Sequence, residues 1–150
     1  MRGLIWAVIA LAAGLAHAAP ALKDRPKTEP GLVGEWEVVG VVVGGQSLNL
    51  KGVHIMFRFT SDGRWATWYR PNGRPPFAPY SVNPKAGPPA IDLAAREGSD
   101  GVDSVGIYPL NGDCLTICQA PAWAGRPTDF DSATGAPVVL YELRRVGPAD

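Results

Sequence analysis

Val53, Ile55, Phe57 and Phe59 occupy every second position of their segment, with His54, Met56, Arg58 and Thr60 between them. That period of two gives an extended strand with one apolar face. Ser61-Asp62-Gly63 follows as a turn, and Arg64 to Arg70 makes the partner strand of a hairpin. Upstream, Gly34-Glu35-Trp36-Glu37-Val38-Val39-Gly40-Val41-Val42-Val43 is rich in Val, which packs well on a pleated surface, and the pair Gly44-Gly45 ends it. Val33 thus opens the first strand, and Gln46 to Gly52 is a short continuation or a loop. Downstream, Ala90 to Ala94 reads as a strand and Gly98 to Asp103 as a polar turn. Val105 to Leu110 and Cys114 to Gln119 form a second hairpin about Asn111-Gly112-Asp113, and Pro137 to Val146 closes the series.

Prolines interrupt this pattern in one place. Pro71, Pro75, Pro76, Pro79, Pro84, Pro88 and Pro89 fall within one stretch, and proline cannot donate to a β-ladder. The stretch from Pro71 to Pro89 therefore reads as loop, broken by an edge-like piece at Phe77 to Val82. Ala120 to Ala136 is a second long connection, with a short strand at Thr128 to Asp131. No helical apolar period appears after the N-terminal segment. About eight short strands at even spacing predict an all-β fold, an antiparallel barrel or sandwich.

The first residues follow a different rule. Arg2, an apolar run from Leu4 to Leu15 and the ending Ala16-His17-Ala18 have the form of a secretory signal peptide. The run falls short of the roughly 20 apolar residues that span a bilayer, so no stable membrane span is expected in the mature chain. Residues 1–18 are the leader, 19–31 a Pro-containing flexible lead, and 32–147 the folded domain. The expected location is periplasmic or extracellular. Without Arg2 the chain has 13 basic and 14 acidic residues. With no basic cluster, nucleic acid is excluded as a partner. Cys114 and Cys118, the two cysteines, are four residues apart on a strand, roughly 13 Å, beyond the Cα separation of about 7 Å that a disulfide tolerates. Two half-buried thiols are expected, or an exposed one that pairs between molecules.

Several motifs occur in a fixed order: Leu32-Val33-Gly34-Glu35-Trp36, Lys51-Gly52 before a Phe-rich strand, Pro89-Ala90-Ile91-Asp92-Leu93, Gly106-Ile107-Tyr108-Pro109-Leu110-Asn111-Gly112-Asp113-Cys114-Leu115-Thr116-Ile117-Cys118, and Arg126-Pro127-Thr128-Asp129-Phe130. Together they resemble the uncharacterised lipocalin-like domain family abundant in planctomycete bacteria, over nearly all of Leu32 to Val146. The resemblance implies an up-and-down lipocalin-like β-barrel of about eight strands and carries no established activity. It also implies a structural role for Trp36 as the plug of the closed barrel end, covered by a basic residue of the last strand, Arg144 or Arg145. The chain departs from the family in its longer Pro-rich stretch.

Candidate chemistry is sparse. His54 is the one histidine after the leader, it sits opposite the Phe57 and Phe59 face, and Gly-x-Ser-x-Gly is absent. His54, Cys114 and Cys118 lack the close ligand pairs of a zinc site. Asp100 with Asp103, and Asp129 with Asp131, lack the oxygen count of a calcium loop. Asp92 and Glu142 have nothing that brings them together as an acid–base pair. No catalytic residue, metal or cofactor is therefore expected. Aromatic residues remain, and Phe57, Trp68, Tyr80 and Tyr108 are the candidate ligand-binding residues, in a barrel mouth roofed by Pro71 to Pro89 and Ala120 to Gly125. The leading expectation is an exported, non-enzymatic binder of a small apolar ligand or envelope component. The alternative is a protein–protein interaction module with a solid core.

Overall fold

The computed structural model describes residues 28–95, 101–132 and 135–148. The expected leader, most of the lead and part of the expected turn at Gly98 to Asp103 lie outside the described residues. The described residues form ten strands: β1 (Gly34–Val43), β2 (Gln46–Ser47), β3 (His54–Phe59), β4 (Arg64–Arg70), β5 (Ala78–Asn83), β6 (Ala90–Leu93), β7 (Ser104–Ile107), β8 (Leu110–Asn111), β9 (Cys114–Pro121) and β10 (Val139–Gly147). Eight of them, β1, β3, β4, β5, β6, β7, β9 and β10, pair antiparallel with their neighbours, and β10 pairs with both β9 and β1. The wall is a closed up-and-down barrel without a free edge, with β2 and β8 as two-residue additions. No helix among the described residues is long and apolar enough to cross a membrane.

Two expectations from the proline pattern change. Phe77 to Val82 is not an edge: β5 pairs with β4 on one side and β6 on the other. Pro79 is tolerated because β4 contributes just two pairs to that seam, Arg64 with Pro79 and Trp65 with Ala78. The Pro-rich stretch is thereby divided between opposite barrel ends, with Pro71 to Phe77 after β4 and Pro84 to Pro89 after β5. Thr128 to Asp131 is irregular and not a strand. Val105 to Leu110 keeps one register against β9 but is split into β7 and β8 around Pro109, which has no N–H to donate.

Strand alternation separates an interior from two covered outer flanks. The interior joins Trp36, Val38, Val41, Phe57, Phe59, Tyr80, Val82, Ile91, Leu93, Tyr108, Leu115, Ile117 and Leu143 in one buried cluster with Leu32. On the outer face of β3 and β4, Met56, Ala66 and Trp68 form a separate cluster with Phe77. Arg74 lies 4.9 Å from the Trp68 ring and 5.7 Å from that of Phe77, and joins Arg58 and Arg70 around Glu35. On the opposite flank, the segment after β9 folds back over β6 and β7. There Arg126 donates to the carbonyls of Ile91 (3.0 Å) and Gly106 (2.7 Å) and to the buried Asp92 carboxylate (2.6 Å). Burial lowers the Arg126 pKa, the direction expected for a desolvated cation, yet these three acceptors hold it in place.

Candidate functional site

The barrel has two unlike ends. The β3–β4 turn, the β5–β6 turn and the β7–β9 connection lie at the end where β1 begins; the β1–β3, β4–β5, β6–β7 and β9–β10 connections lie at the other.

At the first end, Trp36 is 0% exposed and its indole N–H donates to the Leu32 carbonyl at 2.9 Å. Arg145, its register partner on β10, places its guanidinium 4.2 Å from the ring centroid. The same group donates to the Val33 carbonyl at 2.7 Å, to Asp113 Oδ1 at 3.0 Å and to the Gly31 carbonyl. These bonds tie the segment before β1 and the β8–β9 turn to the last strand. Gly34 is required here twice over: its φ is +138°, and a Cβ on it would lie 2.5 Å from Arg145 Nη1. The Gly-x-Trp spacing thus serves a cation stacked on an indole, a contact worth about 0.5–2 kcal/mol. Arg145 is the covering residue; Arg144 points outward and is exposed. The Tyr80 hydroxyl donates to the Thr60 carbonyl at 3.0 Å, and that of Tyr108 to the Glu29 carboxylate. Burial raises both phenols well above the usual range; acidic neighbours reinforce it, Asp62 for Tyr80 and Glu29 for Tyr108.

Above this seal aromatic rings pack against one another in the interior. Phe57 lies 6.4 Å from Phe59, 5.9 Å from Trp65 and 5.3 Å from Tyr141, and Phe59 lies 5.1 Å from Tyr80. Such centroid separations are those of rings in contact.

The second end differs. Thr67 faces inward opposite Phe57, and Tyr69 opposite Ile55, yet both are exposed because β5 covers β4 at Arg64 and Trp65 alone. Trp65 bridges part of this slot, its indole N–H donating to the Ala94 carbonyl at 3.0 Å. Across the mouth, a depression of about 280 Å³ lies against Val43, Ser104, Gln119, Pro121 and the Ala136–Val139 segment. Gln119 is the inward position after Leu115 and Ile117, and its Oε1 is buried without a hydrogen-bond partner. Ser81 Oγ, on the outer flank, is the other such atom among the described residues.

Of the four candidate ligand-binding residues, Phe57, Tyr80 and Tyr108 meet in the interior cluster, where they are buried and the two hydroxyls are engaged. Trp68 is not with them. It faces the outer flank, because the β3–β4 register sets Thr67, not Trp68, opposite Phe57. The expected roof is corrected in the same way: Arg74 and Phe77 of the Pro71 to Phe77 loop lie against that flank, and Pro84 to Pro89 is at the sealed end. His54 is exposed and its Nδ1 lies 2.7 Å from Glu37 Oε1, away from any serine or cysteine contact shown. Asp103 Oδ2 accepts from the Ala95 backbone N–H, and Asp129 Oδ1 from that of Asp131, so these carboxylates shape turns. The sulfurs are unpaired, with Cys114 exposed and Cys118 buried. Burial pushes the Cys118 thiol up, aided by Asp129 and Asp131. The residue missed is Gln119, although its signal was present: a polar side chain in phase with Leu115 and Ile117.

Comparisons with family models, with curated proteins and with solved structures gave no match.

Proposed function

We propose that this chain is an exported, non-enzymatic, lipocalin-like binding protein that works at the barrel end opposite Trp36, where it takes a small apolar molecule at the mouth and not in the middle. One observation carries the reading. Eight large apolar side chains stand exposed among the described residues, and five of them, Val43, Leu48, Val53, Tyr69 and Trp123, lie on connections or strand ends at that one end. Clustered exposed apolar surface marks an interaction site, whereas isolated residues do not. Packed rings in the interior leave the mouth as the place for a ligand. The Arg145 and Trp36 seal supports the lipocalin-like reading, and the apolar leader at Leu4 to Leu15 supports export.

Incubating the protein with a lipid extract of its host's envelope, and identifying what it retains by mass spectrometry, tests this. Retention that Val43→Asp abolishes is expected; no retention, or retention indifferent to that change, overturns it. A second reading, a protein partner docked on the rim, is favoured by Trp123, which is 82% exposed on the 3-10 turn Ala122–Ala124. Trp123→Ser would then abolish partner capture and leave small-molecule retention unchanged.

A further inference from the structure

One seam of the closed wall is joined along only part of its length. In antiparallel pairing, residues that bond to one neighbouring strand alternate with residues that bond to the other. The turn sets the phase on β4: the Thr60 N–H donates to the Arg64 carbonyl, so Arg64, Ala66, Trp68 and Arg70 bond toward β3. Trp65, Thr67 and Tyr69 therefore turn their N–H and C=O toward β5. Below them the seam is made, with the Gly63 carbonyl accepting from the Tyr80 N–H and Trp65 paired to Ala78. At Thr67 and Tyr69 it is not. Had the register run on, Pro76 would stand opposite Thr67, and it has no N–H to give. The connecting loop is drawn out of the wall instead, because Arg74 and Phe77 pack with Trp68 on the outer flank. Thr67 and Tyr69 are exposed, and no hydrogen bond to their backbone on this side occurs among the described residues.

The two faces beside this gap differ in chemistry. On the outer face Arg70 and Arg74 lie 2.9 and 3.7 Å from the carboxylate of Glu35, which Arg58 also approaches at 3.5 Å. One carboxylate cannot neutralise them, and Arg70, the last residue of β4, has a side chain 53% exposed. On the inner face the gap is bordered by the exposed Tyr69 ring and by Ile55 opposite it. Unpaired backbone N–H and C=O groups on a strand side are a template for a further strand. A second copy of this chain fits poorly, since two such sides would bring their arginines face to face.

We propose that the open side of β4 at Thr67 and Tyr69 docks an extended acidic segment of a partner protein, added antiparallel as a short strand. Its alternate residues have opposite tasks. Those facing outward carry carboxylates to Arg70 and Arg74, and those facing inward are apolar and lie on Tyr69. The site is separate from the depression at Val43 and Val139 and does not rest on the small-molecule reading given above.

Amide hydrogen exchange on 15N-labelled protein tests this, with acetyl-Val-Glu-Val-Glu-Val-amide as the probe. The Thr67 and Tyr69 amides should exchange freely in the protein alone and slow by about tenfold or more at saturating peptide. Opposite these two residues the valine nitrogens face β4 and the glutamate nitrogens face away. Methylating the valine nitrogens should therefore weaken binding by about tenfold or more, and methylating the glutamate nitrogens should leave it within about twofold. A peptide with Lys for Glu should bind at least about tenfold more weakly, and Arg70→Glu should remove that preference. Thr67→Pro deletes a donor on the open side while keeping the bonds to β3, and should abolish binding. Should that variant fail to fold, the methylated pair decides the same point on the unaltered protein. No slowing at Thr67 and Tyr69, or equal binding of the two methylated peptides, overturns the added strand. Equal binding of the Lys peptide overturns the acidic partner, and self-association through these residues without peptide makes the occupant a second copy and overturns the proposal.

Discussion

The two ends of this barrel are made from similar residues put to opposite use. At the sealed end each large polar group of the interior has its partner: the Trp36 indole has the Leu32 carbonyl, Arg145 has three acceptors, and the Tyr80 and Tyr108 hydroxyls have Thr60 and Glu29. At the other end Tyr69 and Trp123 stand in solvent and Gln119 Oε1 is buried without a donor. Aromatic content alone therefore does not mark a binding site. A ring whose polar atom is satisfied inside the protein belongs to the scaffold, whereas apolar surface gathered in solvent at one end has something left to bind.

This contrast can be broken by experiment, and high pH should do so most completely. Tyr80, Tyr108 and Tyr141 are held protonated in the folded state, chiefly by burial, while in the unfolded chain a phenol ionises near pH 10. The folded values lie above the unfolded one. Their contribution to stability is thus fully present below about pH 10 and falls away as pH rises through that value toward the folded ones. Phenolate absorbance and circular dichroism should change together above that pH; ionisation of Tyr80 and Tyr108 with the barrel intact would contradict the sealed-end account.

Removing the plug comes next. Trp36→Ala should cost about 3–5 kcal/mol in denaturant unfolding, the range for deleting a buried aromatic. A loss under about 1 kcal/mol would mean that the indole does not close the barrel. Arg145→Ala removes the stacked cation and bares the Val33 and Gly31 carbonyls, with an expected cost of about 2 kcal/mol. Arg144→Ala, on the exposed side, should stay within about 0.5 kcal/mol and serves as the matched control. At the open end the sign reverses. Gln119→Leu exchanges an unpartnered amide for an apolar group and should raise stability by about 1 kcal/mol. Trp123→Ser should have the smallest effect, under about 0.5 kcal/mol, because the ring is exposed and buries little.

How much of this was legible in the chain varies from residue to residue. The β3–β4 hairpin was clear because Ile55, Phe57 and Phe59 alternate on the apolar side and a Gly-containing turn follows. On β4 the pattern is ambiguous: Trp65 and Tyr69 share one face with Thr67, and Trp68 shares the other with Ala66, so both faces carry an aromatic ring. The β3 register and the Arg74 loop decide between them, and neither is encoded within β4 itself. The choice between Arg144 and Arg145 is of the same kind. Register irregularities between Val38 and Gly40 and between Glu35 and Trp36 set Arg145 opposite the indole, and counting residues along either strand does not reveal them. The Arg126 strap was out of reach, because it links a loop to Asp92 more than 30 residues earlier.

The chain by itself determined an all-β meander, the positions of most strands and turns, and the Gly-x-Trp start. These follow from side-chain periodicity and backbone preference, which act over a few residues. Tertiary structure alone decided which flank Trp68 covers, which arginine covers Trp36, and that Gln119 Oε1 is left without a donor. Each of those depends on how segments far apart in the chain register across a closed wall, where a shift of one residue exchanges inside for outside.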